Sequence, residues 1–171
     1  IKVGSRQSPL ARIQAETAIS RIDYPAEIVT MLEEADMDLS RPVHEMGGKA
    51  MFCTKLEQAL LSNKIDCAIH SAKDCATVET AGTDLLGVIY RGDPRDCVIG
   101  DHSLHNLPAG SRIGTSAPRR IQAIQLIRPD CEVVPIRGNV NTRLNKLHSG
   151  EVDALILGQS VIDRMGLNVP H

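Results

Sequence analysis

Short apolar runs alternate along the chain with stretches of helical spacing. Residues 1–3 (Ile-Lys-Val) read as a strand, and Ser8-Pro9 then offers an N-cap followed by proline at the first helical position, where the missing N–H removes no helical hydrogen bond. A helix over 9–21 follows, with Leu10, Ile13, Ala18 and Ile19 toward one side. A second strand is expected over 27–32. Residues 33–49 are polar, show no period and end in Gly47-Gly48-Lys49, the pattern of a long mobile loop. Apolar spacing predicts a helix over 51–61, which Ser62-Asn63-Lys64 turns into a strand over 65–70. The run 85–90 reads as another strand, followed by a turn at Arg91-Gly92-Asp93-Pro94-Arg95. Beyond it the alternation restarts: strands over 96–99 and 111–113, a helix over 118–127, a strand over 132–136, a helix over 139–147 closed by Gly150, and a strand over 152–157.

Strands alternating with helices of this length predict an α/β protein with largely parallel sheets. The turn at 91–95 divides it into two small lobes, 1–92 and 93–171. Composition fits this picture: of 171 residues 42% are hydrophobic and 23% charged, an ordinary balance for a chain with a packed core. The 19 Lys+Arg against 21 Asp+Glu, net −2, and only 2% aromatic residues with no Trp argue against nucleic-acid binding. No apolar run approaches the ~18 residues of a membrane span, and the opening lacks the layout of a signal peptide. Five scattered cysteines without a Cys-x-x-Cys pair fit reduced thiols, so a cytoplasmic protein is expected.

The chemistry-bearing residues fall just after strands. The strand over 65–70 runs into Ser71-Ala72-Lys73-Asp74, that over 111–113 into Gly114-Thr115-Ser116-Ala117-Pro118-Arg119-Arg120, and that over 132–136 into Arg137-Gly138-Asn139-Val140-Asn141-Thr142-Arg143. In open α/β sheets ligands bind outside the carboxyl ends of strands, so these loops and the first (Ser5-Arg6-Gln7-Ser8) are expected to converge. Arg6, Arg119, Arg120, Arg137 and Arg143 all sit in a loop or first helical turn after a strand. Helix N-termini favour anions, and guanidinium forks suit carboxylate or phosphate. In a chain of net charge −2 such a cluster points to a small polyanion; the bland alternative is solvated helix-start cations paired with some of the 21 acids. Asp74, among cations at a strand mouth, is placed to stabilise a developing cation or move a proton, or simply to cap a turn. His70 reads as a packed strand-end residue. Gly47-Gly48-Lys49 is too short for a P-loop, and no metal-ligand spacing stands out.

The motifs Gly4-Ser5-Arg6-Gln7-Ser8-Pro9-Leu10-Ala11, Gly47-Gly48-Lys49, His70-Ser71-Ala72-Lys73-Asp74, Asp93-Pro94-Arg95-Asp96, Gly114-Thr115-Ser116 with Arg119-Arg120, and Arg137-Gly138-Asn139-Val140-Asn141-Thr142-Arg143 occur in this order. Together they resemble the hydroxymethylbilane synthase (porphobilinogen deaminase) family of tetrapyrrole and heme biosynthesis across essentially the whole chain. The resemblance implies a transferase that joins four porphobilinogen units head to tail with loss of ammonia and releases hydroxymethylbilane. It implies two lobes similar to type II periplasmic binding proteins, with the site between them. It assigns Asp74 as the catalytic carboxylate and Arg6, Arg119, Arg120, Arg137 and Arg143 as holders of the substrate's acetate and propionate groups. Ser8, Lys73, Thr115 and Ser116 would line the site, and Lys49 would lie in a mobile loop covering it.

The resemblance also implies a dipyrromethane cofactor tethered to a cysteine of a third domain. None of Cys53, Cys67, Cys75, Cys97 and Cys131 matches that cysteine, and the chain is expected to stop before that domain: either these residues are part of a longer synthase, or they are a short form, for which a second chain supplying the domain is one candidate partner. Further departures are Glu33-Glu34-Ala35-Asp36 for a Thr-Arg-Gly-Asp pattern, Cys75-Ala76 for a hydrophobic residue and proline, Pro118 before the arginine pair, and Gly158-Gln159-Ser160 after the last strand. The alternative to a synthase is a truncated non-catalytic relative that binds porphobilinogen, a linear pyrrole or another polycarboxylate. A third is an interaction module that uses the fold as a surface.

Overall fold

The computed structural model describes residues 1–33, 53–75 and 78–170. The loop expected over 33–49, apart from Glu33, the start of the helix expected at 51, and Lys49 and Ala76 lie outside the described residues. The chain divides into two compact units, Ile1–Arg91 and Gly92–His171, both α/β.

In the first unit β1 (Lys2–Arg6) lies at the centre of a three-stranded sheet, with β2 (Glu27–Met31) on one side and β3 (Cys67–Ala68) on the other, all parallel. Helix α1 (Pro9–Ile19) starts on Ser8, whose side chain accepts from the Ala11 N–H, with proline next; this is the start read from the residues. It buries Ala15 and Ala18, so small side chains set the helix close to the sheet. Helix α2 (Thr54–Leu61) packs Leu56 and Ala59 with Ile65 against Val29 and Met31. Its N-cap, Cys53, makes no side-chain cap bond. Instead the carboxylate of Glu33, 0% exposed, accepts the N–H groups of Lys55 (3.1 Å) and Leu56 (3.2 Å), satisfying donors that a helix start leaves orphaned.

The second unit has a four-stranded sheet in the order β4 (Asp96–Ile99), β7 (Ala154–Gly158), β5 (Arg112–Gly114), β6 (Glu132–Val134). β5 runs parallel to β6 and β7, while β4 runs antiparallel to β7 with Asp96 opposite Gly158. The period of two along β7 builds both layers. Leu155 and Leu157 pack with Leu144 of α4 (Val140–His148) and Ile162 of α5 (Gln159–Met165), and Ala154 and Ile156 pack with Ile124 of α3 (Pro118–Ile127). Each such buried aliphatic side chain contributes ~1.5–3 kcal/mol. Asn139 caps α4, its side chain accepting from the Thr142 N–H at 2.9 Å.

Several expected elements differ. Residues 85–90 join neither sheet and are exposed, Leu86 to 88%. A strand exists only as one of a pair, and among the described residues this run joins no partner strand. The strand expected over 65–70 shrinks to Cys67–Ala68, held only on its β1 side. β1 runs on to Arg6, in register with Met31, so Arg6 ends a strand and not a loop. β6 stops at Val134 because Pro135 has no N–H to continue the ladder. Helix α1 ends at Ile19, two residues early, and α5 was not expected.

Candidate functional site

In the first unit all three strands point the same way, so their carboxyl ends share one edge. β1 delivers Arg6 there. After β3 the chain folds into a 3-10 turn, Ala72–Asp74, closed by the Asp74 N–H on the Ser71 carbonyl. Arg6 Nη1 lies 3.5 Å from Asp74 Oδ2, each side chain less than one-fifth exposed. The turn is pinned from two sides. Gln14 of α1 donates to Ser71 Oγ at 2.8 Å, and the Cys53 thiol donates to the Asp74 carbonyl at 2.9 Å. Burial, reinforced by the charges of Cys75, Glu57, Asp74 and Glu33, pushes the Cys53 thiol up to about 12, so it stays a protonated donor at neutral pH. His70 Nδ1 is 3.7 Å from the same sulfur. Burial lowers its pKa against the opposing pull of Asp74 and Glu57, so the imidazole is held neutral, as a packed residue. Ser8 is committed to capping α1, and Lys73 is exposed on the turn beside Asp74.

In the second unit the loops after β5 and β6 meet. Thr115, buried, accepts from the Ala117 N–H through Oγ1. Ser116 Oγ donates to the Ile136 carbonyl (2.7 Å) and accepts from its N–H (2.9 Å). The Ser116 hydroxyl therefore locks the two loops to each other, and that of Thr115 braces its own loop. Arg119 and Arg120 lie in the first turn of α3. Arg143, on the first turns of α4, donates through Nε to the Gly138 carbonyl at 2.9 Å. Burial lowers its pKa, with the cations of Arg120 and Arg137 adding to the effect, so Arg143 lies within electrostatic reach of both. Gly138 makes the bend with φ +105, and an added Cβ would fall 2.7 Å from Thr142 Cγ2.

Asp96 was read from the residues only as part of a motif, yet it touches both helix arginines: Arg119 Nη1 and Nη2 reach its two oxygens at 2.5 and 3.0 Å, and Arg120 Nη2 is at 2.7 Å. Burial works to raise its pKa, but the bonds from Arg120 and Arg119 outweigh it and hold the carboxyl below its usual range. Arg120 also donates from Nη1 to the Ile156 carbonyl at 3.0 Å, while its buried Nε has no partner.

The hollows do not coincide with these residues equally. One of about 160 Å³ lies against Asp96, Arg119, Arg120 and Ile124. A larger one, about 560 Å³, opens at the amino ends of β1 and β2 beside Lys2 and Glu27, the edge opposite the one that carries Arg6 and Asp74. Sheet chemistry favours the former edge over size. Among the described residues no helix is long and apolar enough to cross a membrane, and no cluster of His, Cys, Asp and Glu is placed to hold a metal.

A family model described as porphobilinogen deaminase, dipyromethane cofactor binding domain, matches residues 1–170. The chain is similar to a probable porphobilinogen deaminase of Picrophilus torridus (38% identical, covering 100% of this chain and 62% of that protein). It is similar also to one of Methanopyrus kandleri (40%, 98% and 58%) and to a porphobilinogen deaminase of Rickettsia akari (42%, 100% and 59%). The chain thus spans about three-fifths of the length of these relatives. Among solved structures it is similar to a probable amino-acid ABC transporter extracellular-binding protein of Bacillus subtilis (16% identical, 99% of this chain and 75% of that one, TM-score 0.49). A methionine binding protein gives 12%, 98%, 73% and 0.43 in the same terms.

Proposed function

The chain belongs to the porphobilinogen deaminase family, and on that premise we propose that it serves the deaminating condensation of porphobilinogen into a linear tetrapyrrole, with heme-type pigments as the destination and the cytoplasm as the setting. The observation that supports this most is the gathering of cations in the second unit: Arg143 within electrostatic reach of both Arg120 and Arg137, and Arg119 and Arg120 together on Asp96. A ligand carrying several carboxylates relieves that repulsion.

In this reading Arg119, Arg120, Arg137 and Arg143 hold acetate and propionate side chains. Asp74 is the catalytic residue. Loss of ammonia from the aminomethyl arm of porphobilinogen leaves a cation delocalised over the pyrrole ring; a carboxylate beside the ring N–H stabilises it and takes up the ring proton released when the next carbon–carbon bond closes. Arg6, 3.5 Å away, orients that carboxylate, and Gln14 and Cys53 keep its turn in place.

The residues present also fit a dipyrromethane. The donor set is cationic, and Arg120, bonded through its terminal nitrogens to the Ile156 carbonyl and Asp96, keeps a buried Nε without a partner, which leaves one donor of that set unspent. When bound, dipyrromethane supplies the pyrrole end from which the chain grows; Arg120, Arg137 and Arg143 would hold its carboxylates.

The test is to incubate the complete protein with porphobilinogen and measure ammonia and linear tetrapyrrole. Release of both, lost in Asp74→Ala while circular dichroism is unchanged, is the expected result. Saturable binding with no ammonia would overturn the reading and leave a polycarboxylate-binding protein.

A further inference from the structure

We infer that Asp96 is a positioning residue that presets the guanidinium forks of Arg119 and Arg120 before a ligand arrives; the inference rests on the reading of the second unit as a carboxylate-holding site. Topology puts Asp96 where it can do this. β5, β6 and β7 all deliver their carboxyl ends to one rim, and a residue there would ordinarily come from a loop. β4 runs the other way, and Asp96, its first residue, pairs with Gly158, the last residue of β7. A strand start thereby supplies an acid at the rim where the arginines gather.

Its geometry is that of a clamp. Asp96 takes both terminal nitrogens of Arg119 and one of Arg120. Arg120 is fixed at its other end by the Ile156 carbonyl, and in this arrangement its buried Nε goes unpaired. A pair selected for stability alone would not strand a buried donor; one selected to aim a cation accepts that cost. The two arginines also differ. Arg120 is 15% exposed and Arg119 68%, so Arg119 would sweep through solvent if Asp96 did not hold it. Ordering a long cationic side chain in advance removes an entropy loss from the binding step. Asp96 is itself only 23% exposed at its side chain and is the one acid among the described residues seen to bond either arginine, so nothing else takes over this role.

The experiment measures porphobilinogen binding by calorimetry in the complete protein carrying Asp74→Ala, so that affinity is read without turnover. Asp96→Asn keeps the size but loses the charge and should weaken binding at least tenfold, with a melting temperature close to that of the parent. Asp96→Glu, which restores the charge, should recover most of the affinity. In an Arg119→Leu background the Asp96→Asn change should have at most a third of its effect on the logarithmic scale, because half the clamp is already gone. In the turnover-competent protein the same change should raise KM and leave kcat within about twofold. Unchanged or tighter binding by Asp96→Asn overturns the inference, as does an equal effect with and without Arg119. Should Asp96→Asn melt early, Asp96→Glu decides: a stable Glu variant as weak as the Arg119→Leu protein also overturns it. If the parent takes up no porphobilinogen, the carboxylate-site reading falls and this inference with it; failure confined to the Asp96 variants removes this inference alone.

Discussion

The two units spend their charges differently. In the first, one cation meets one anion: Arg6 and Asp74 lie 3.5 Å apart, both largely shielded from water. In the second, Arg119 and Arg120 share the single carboxylate of Asp96, and Arg143 sits near Arg120 and Arg137 with its basicity depressed by burial and their charge. A paired carboxylate is aimed and available to a cation forming in front of it. Guanidiniums gathered in this way favour anions and do not stabilise a cation. In the proposed reading the difference separates chemistry from grip and would give each unit its own failure mode.

Breaking the pair in the first unit should cost the most. Asp74→Ala should lower the rate of ammonia release by about 10²–10⁴, the span of acid–base and charge stabilisation by one side chain, with porphobilinogen still bound; a variant within tenfold of the parent rate would erase the division of labour. Breaking the grip should act on affinity. Arg143→Leu should weaken porphobilinogen binding by about 2–5 kcal/mol, as for loss of a buried, hydrogen-bonded charge, and calorimetry that finds no change would remove the second unit from the site. Gly4→Ala should touch neither function directly, only the sheet beneath the pair. Its Cβ would lie 2.3 Å from Ile65 Cδ1 and 2.8 Å from Leu56 Cδ2, an overpacking worth ~1–3 kcal/mol, read as a lower Tm. Glu33→Ala should cost about 1 kcal/mol through lost capping of α2, seen in a denaturant titration. The smallest effect belongs to His70. Its folded pKa is depressed, chiefly by burial, so below the unfolded value near 6.5 the unfolded chain binds the extra proton. Stability is unaffected above that pH and falls as pH drops below it toward the folded pKa. His70→Gln should flatten that slope.

The parts of this division that depend on local pattern were legible in the residues. Pro118 and the spacing of the isoleucines marked α3 at both ends, Ser8-Pro9 marked the start of α1, and 96–99 emerged as the strand β4. The arginine cluster was visible because its members all follow strands. What escaped depends on partners distant in sequence. Glu33 looked like the first residue of a polar loop; its role comes from a helix start 22 residues later. Asp96 was read as the first residue of a strand and the last of a motif, and only the reversed direction of β4 sets it against Arg119 and Arg120. Arg6 was expected in a loop because β1 was read as three residues, and its pairing with β2 lengthens it. The opposite error occurred at 85–90, where composition alone suggested a strand. A pentad of Leu85, Leu86, Val88, Ile89 and Tyr90 has the content of one, but hydrogen bonding has to come from elsewhere in the fold.

That pentad has a consequence for the protein as a material. It is fastened at one end, where Arg21 donates to the Ile89 carbonyl and stacks over the Tyr90 ring. The rest is an extended, greasy ribbon carrying no charge from 85 to 90, the kind of surface on which one molecule can add a strand from another. Solutions of these 171 residues should therefore be colloidally least comfortable near their isoelectric point of about 6.3, where mutual repulsion vanishes, and best behaved in mildly alkaline buffer of low ionic strength, where a net negative charge keeps the ribbons apart.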